Sequence, residues 1–211
     1  MAPIRVGIIG LTAKDSGNFV PGEWGVHHFK AIQQLPEYEL VAICNTSVES
    51  ANKAIAFHKL DPATVKAYGS AKDLAADPNV DLVTVTVDVK HHMNLTKPAL
   101  EAGKDVYVEF PIAPTAAECE ELAEIARAKG VKVVVGTQAC SDPVIMKLRS
   151  ILPEIGDVVS TTLLGSSPID VSQGWPEFAE PFLDVHSRIS RVTIVLGHRK
   201  CHTICPSKVA H

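Results

Sequence analysis

Leu95-Thr-Lys-Pro-Ala-Leu-Glu-Ala-Gly-Lys-Asp-Val-Tyr-Val-Glu-Phe-Pro111 holds two elements and the link between them. Residues 93–102 read as a helix that Gly103 closes, because glycine takes the left-handed C′ conformation without a Cβ penalty. Residues 105–109 (DVYVE) read as a strand that follows at once. A helix feeding directly into a strand is one half of a crossover unit, and the same rhythm extends in both directions along the chain.

Upstream, residues 4–9 (IRVGII) form an apolar run rich in β-branched residues, the pattern of a strand buried on both faces. Residues 24–35 have helical spacing, with Val26, Phe29, Ile32 and Leu35 on one face. Residues 38–44 (YELVAIC) are a second strand, 47–57 a helix capped by Ser47, 70–76 a short helix, and 82–87 (LVTVTV) a central strand. Downstream, 115–129 is the clearest helix: Thr115 caps it, Glu118 completes a capping box and Gly130 ends it. Residues 131–135 (VKVVV) give a further strand and 142–152 a further helix. Short links of this kind require right-handed crossovers and a parallel sheet covered on both faces. The expected fold is therefore α/β, a Rossmann-type doubly wound parallel sheet over residues 1–138. Residues 139–211 form a separate region: 157–164 alternate like a half-exposed strand, 166–181 are loop-like, 184–196 suggest a helix, and the tail shows no period.

The bulk properties exclude several classes. A net charge of −4 with no basic run gives no reason to expect nucleic acid. The apolar stretches are short and interrupted, so no membrane span or signal peptide is expected. Five scattered cysteines suggest reduced thiols and a cytoplasmic protein. Cys44 and Cys119 read as core filler. Cys201-x-x-x-Cys205, with His198 and His202 nearby, does not match zinc-knuckle spacing, so no metal is expected.

In open parallel sheets, ligands bind at the carboxyl ends of the strands where the strand order reverses. The first strand-to-helix turn holds a pyrophosphate against a helix N-terminus, and glycines admit the close backbone approach. Gly10 stands where the first glycine of that fingerprint belongs, but Thr12 takes the second place and the helix starts late, near Trp24. Alternatively, Gly7 and Gly10 serve strand–helix packing alone. The second strand ends in Cys44, Asn45 and Thr46, with neither acid nor arginine for the adenosine ribose, so NAD versus NADP stays open.

The 95–111 segment resembles the glucose–fructose oxidoreductase and inositol dehydrogenase family (Gfo/Idh/MocA), in which a helix ending in "ALEAGK" feeds a strand ending in Glu-Lys-Pro. The branch it looks most like contains the galactose-regulon repressor. Trp24-Gly-Val-His-His28, Val135-Gly-Thr-Gln138 and Thr193-Ile-Val-Leu-Gly-His198 fit the same branch. The resemblance implies a nicotinamide cofactor and a C-terminal α+β domain that covers it and forms a homodimer, of which residues 139–211 would be a truncated remnant. It also implies a catalytic lysine where this chain has Phe110, which holds no titratable proton. His92 matches the family's histidine after the fourth strand, with Lys90 in place of the preceding proline. His198-Arg-Lys-Cys201 lacks the family's acid.

The expected cofactor-binding residues are Gly10, Thr12, Asn45, Thr46, Glu109 and Gln138. The expected catalytic residues are Glu109, His92, and His186 with Asp184 as its nearby acid. Three functions compete. One is an NAD(P)-dependent oxidoreductase acting on a small organic substrate. Another is a cofactor-independent cyclase, isomerase or pericyclase whose cleft uses Phe110, Trp24 and Trp175. The third is a non-catalytic dinucleotide-sensing regulator.

Overall fold

In the computed structural model, which describes residues 2–14, 23–154, 156, 161–163 and 192–194, the first unit is built on six parallel strands. These are β1 (Ile4–Ile9), β2 (Tyr38–Cys44), β3 (Lys66–Tyr68), β4 (Leu82–Val85), β5 (Asp105–Glu109) and β6 (Val133–Gly136). They lie in the order β3-β2-β1-β4-β5-β6, with Ile8 facing Ile43 on one side and Thr84 on the other. The chain leaves β1 toward β2 and β3, then returns to β1's other side at β4. That reversal is the topological switch point at which a ligand crevice forms.

The linking helices are α1 (Glu23–Gln34), α2 (Val48–Phe57), α3 (Ala71–Ala76), α4 (His92–Glu101) and α5 (Ala116–Lys129). Alternate strand residues serve opposite faces. Val6, Ile8 and Ile43 pack with Val26 and Phe29 of α1 and Ala51, Ala54 and Ile55 of α2. Ile9, Val83, Val85, Val106 and Val108 pack with Leu74, Leu100 and Leu122 of α3, α4 and α5. The sheet is thus covered on both sides, as the near-continuous apolar strands require. Helix ends behave as their residues dictate: Thr115 and Glu118 form a reciprocal capping box, and Gly130 closes α5 at φ 67°.

The chain divides into two compact units, Met1–Thr137 and Gln138–His211. In the second, Asp142 caps α6 (Pro143–Ile151) by accepting from the backbone N–H groups of Val144 and Ile145. Thr161–Leu163 (β7) pairs antiparallel with Val192–Ile194 (β8). Of the half-exposed strand expected over 157–164, the described residues 161–163 are strand, paired with β8. The helix over 184–196 gives way to strand at 192–194, where three consecutive β-branched residues favour extended backbone.

Candidate functional site

The site is set by the approach of α1 to the tip of β1. Gly10 has φ +99°, and a Cβ there would lie 2.6 Å from Val87 Cγ1 and 2.9 Å from the Thr86 carbonyl oxygen, so glycine alone fits. Gly25, in the first turn of α1, is tighter still: a Cβ would stand 2.5 Å from the Gly10 carbonyl oxygen and 3.0 Å from Thr86 Oγ1. Helix and turn therefore meet backbone to backbone. The buried Thr86 hydroxyl donates to the Ile9 carbonyl at 2.9 Å, fastening the tip of β4 to that of β1. Backbone N–H groups in the first turn of a helix lack intrahelical partners, and the helix dipole suits such an end to an anion. The close-packing glycine of the dinucleotide fingerprint thus has its counterpart in Gly25. Sequence reading passed over it because it lies fifteen residues beyond Gly10, where the fingerprint spacing does not look.

The chain after Gly10 is held by its carbonyls. Gly10 N–H donates to the Cys44 carbonyl at 3.0 Å. Leu11 is fully buried, and its carbonyl accepts from Asn45 Nδ2 at 2.9 Å. The same amide reaches the Ser50 carbonyl at 3.3 Å, and His58 Nε2 lies 2.8 Å from the Thr12 carbonyl. Asn45 therefore ties the tip of β2 to that of β1, while Thr46 beside it is exposed. Ser47 caps α2 by accepting from Ser50 N–H. Burial beneath these tips pushes the Cys44 thiol up to about 11, with the charge of Asp73 adding to the effect.

Around the tip of β5, Glu109 is 9% exposed and its Oε1 lies 2.5 Å from His28 Nε2. The His28 ring packs on Tyr107 at a centroid distance of 4.8 Å. Gly136 closes the group from below, since a Cβ there would meet Tyr107 Oη at 2.7 Å and Glu109 Oε2 at 3.0 Å. Burial, then the Glu109 charge, raises the Tyr107 hydroxyl above its ordinary range. Phe110 is 62% exposed and joins Pro111 through a cis peptide bond. His28 lies within the Trp24–His28 motif, but 81 residues separate it from Glu109, so local sequence carries no sign of the pair.

His92 is buried, with Nδ1 2.7 Å from the Pro111 carbonyl and Nε2 2.9 Å from the Val87 carbonyl. The ring staples the segment after β5 to the segment after β4. Gly10 and Thr12 thus flank the Leu11 carbonyl that Asn45 holds. Glu109 reaches the same helix that abuts Gly10, and His92 joins the β4 and β5 tips. The side chain of Gln138, and both Asp184 and His186, lie outside the described residues, as do Trp175 and the Cys201–Cys205 pair.

The sequence model of the Gfo/Idh/MocA oxidoreductase family, with an NAD-binding Rossmann fold, matches residues 4–137. The dehydrogenase aclE of Aspergillus oryzae is 37% identical over 171 residues, covering 76% of this chain and 43% of its own. The galactose/lactose metabolism regulatory protein GAL80 of Saccharomyces cerevisiae is 25% identical over 213 residues, covering 93% of this chain and 46% of its own. Among solved structures, an NAD binding oxidoreductase from Klebsiella pneumoniae superposes with a TM-score of 0.63 at 27% identity, over 76% of this chain and 41% of its own. The chain thus spans less than half the length of these relatives. No helix among the described residues is long and apolar enough to cross a membrane.

Proposed function

We propose, since the chain belongs to the Gfo/Idh/MocA family of NAD-binding oxidoreductases, that it binds NAD or NADP across the tips of β1, β2 and β4 and serves redox chemistry on a small organic substrate. The observation that carries this reading is the contact of Gly25 with the Gly10 carbonyl, which sets the N-terminal end of α1 beside the β1 turn. Backbone N–H groups there suit a pyrophosphate. Asn45 Oδ1 and Thr46 Oγ1 at the end of β2 are neutral acceptors for the adenosine ribose. Among the other residues expected at the cleft, Glu109 acts here through His28, and His92 holds the backbone around Val87 and Pro111. When bound, an oxidised nicotinamide accepts a hydride and the reduced form returns it.

The test is a fluorescence titration of the whole chain with NADH and with NADPH. Saturable binding below millimolar concentration supports the reading, and no binding at millimolar cofactor removes it in favour of cofactor-free chemistry. A second reading, a dinucleotide-sensing regulator without turnover, is favoured by the exposure of Phe110, which offers no proton at the end of β5. It is distinguished by cofactor binding without hydride transfer to or from any substrate tried.

A further inference from the structure

The pair at the tip of β5 has a chemistry that the fold alone does not need. A carboxylate can only accept, so Glu109 Oε1 fixes the proton of His28 on Nε2. In the neutral ring this leaves Nδ1 as a bare, basic nitrogen, and among the described residues it has no hydrogen-bond partner. A carboxylate that orients an imidazole and stabilises the imidazolium formed on it is the arrangement by which histidine serves as a general base. The His28 side chain is 21% accessible and that of Glu109 11%, so the ring is the more exposed of the two. The groups around the ring are consistent with this role. From β5 it faces Glu109 and Tyr107, and on β6 the missing Cβ of Gly136 leaves the space that the Glu109 carboxylate occupies. On its own helix, the neighbouring His27 turns to Trp24 with ring centroids 5.6 Å apart.

We propose that His28 Nδ1 is the group that exchanges a proton with the substrate hydroxyl, positioned by Glu109, at the strand tip where Phe110 supplies none. The inference rests on the cofactor reading above. With the hydride received by the nicotinamide, what remains of an alcohol oxidation is one proton. The substrate O–H bond breaks, an N–H bond forms at Nδ1, the electron pair of O–H becomes part of the new C=O bond, and Glu109 stabilises the resulting imidazolium. Carbonyl reduction runs the same step backwards. The substrate class is accordingly an alcohol or the matching carbonyl compound.

Two measurements on the whole chain test this, and neither depends on turnover. Nitrogen-15 NMR of the imidazoles reads the tautomer directly: a neutral His28 ring protonated on Nε2 is expected, and one protonated on Nδ1 overturns the proposal. Carbethoxylation with diethylpyrocarbonate, mapped by peptide mass spectrometry, reads where Nδ1 points. Saturating NADPH is expected to slow modification of His28 at least fivefold while exposed His27 reacts as before. If NADPH binds and His28 reacts at an unchanged rate, this inference fails and the cofactor reading stands. If NADPH does not bind in the fluorescence titration, both fail together.

Discussion

Replacing Gly25 with alanine sets two effects of opposite sign against each other. At an open helix position, alanine stabilises relative to glycine by about 1 kcal/mol through lower backbone entropy in the unfolded chain. Here the new methyl would stand 2.5 Å from the Gly10 carbonyl oxygen, well inside the 3.4 Å at which ordinary contact begins. The obstacle is backbone on both sides, so no rotamer change relieves it, and α1 must retreat by close to an ångström. Overpacking of that kind costs about 1–3 kcal/mol. Against the propensity gain, the expected net loss is at most about 2 kcal/mol. For a unit of this size that corresponds to a fall in Tm of at most roughly 8 °C. Urea unfolding followed by far-UV circular dichroism reads the stability, and the NADPH titration reads the displaced N–H groups as a weaker Kd. A Gly25→Ala protein that is more stable than the parent, with unchanged cofactor affinity, would refute the claim that this contact sets the site.

Three further outcomes follow from the structure. His92→Ala removes the buried ring that stands within hydrogen-bond distance of the Val87 and Pro111 carbonyls and leaves a cavity, so a loss of about 3–5 kcal/mol is expected in urea unfolding, and a loss under 1 kcal/mol contradicts the staple. Asp77 and Asp81 both sit at about 2. For Asp77, burial works upward, but bonds from the Tyr68 hydroxyl, the Asn79 N–H and Lys66 outweigh it; for Asp81, the Arg5 guanidinium is the main cause. Their folded values lie below those of the unfolded chain, so their contribution is complete above about pH 4 and disappears as the pH falls toward 2; a urea midpoint that stays level from pH 5 to pH 2.5 contradicts this. The Cys44 thiol, held up at about 11 by burial, is expected to resist iodoacetamide at pH 8 until urea unfolds the chain, and rapid labelling mapped to Cys44 in the native protein by peptide mass spectrometry contradicts its placement.

The alternation of strands and helices was legible because buried parallel strands are written as apolar runs, and because Gly103 and Gly130 punctuate the helices with a conformation that other residues resist. Lys66–Tyr68 escaped notice because a three-residue strand at the sheet edge needs no apolar run and takes its definition from pairing with Ala42–Cys44. The site was legible only where one residue carries the information: Gly10 by its place after a strand, Phe110 by the proton it lacks. Gly25, the His28–Glu109 pair and the two carbonyls held by His92 depend on contacts between elements far apart in sequence. Local pattern contains no trace of such contacts. Asn45 shows the intermediate case. Its position at the end of β2 pointed to the cleft, but nothing local revealed that its amide nitrogen would be committed to the carbonyls of Leu11 and Ser50.

The central claim is that a dinucleotide lies on the carboxyl edge of the sheet, with its phosphates at the start of α1. Backbone amide NMR during titration with NADPH tests it most directly. Shifts concentrated on Gly10–Lys14, Glu23–Val26, Asn45–Val48 and Thr86–Asp88 are the expected result. Shifts gathered instead at the opposite edge, around Ile4, Glu39, Asp81 and Asp105, would contradict it.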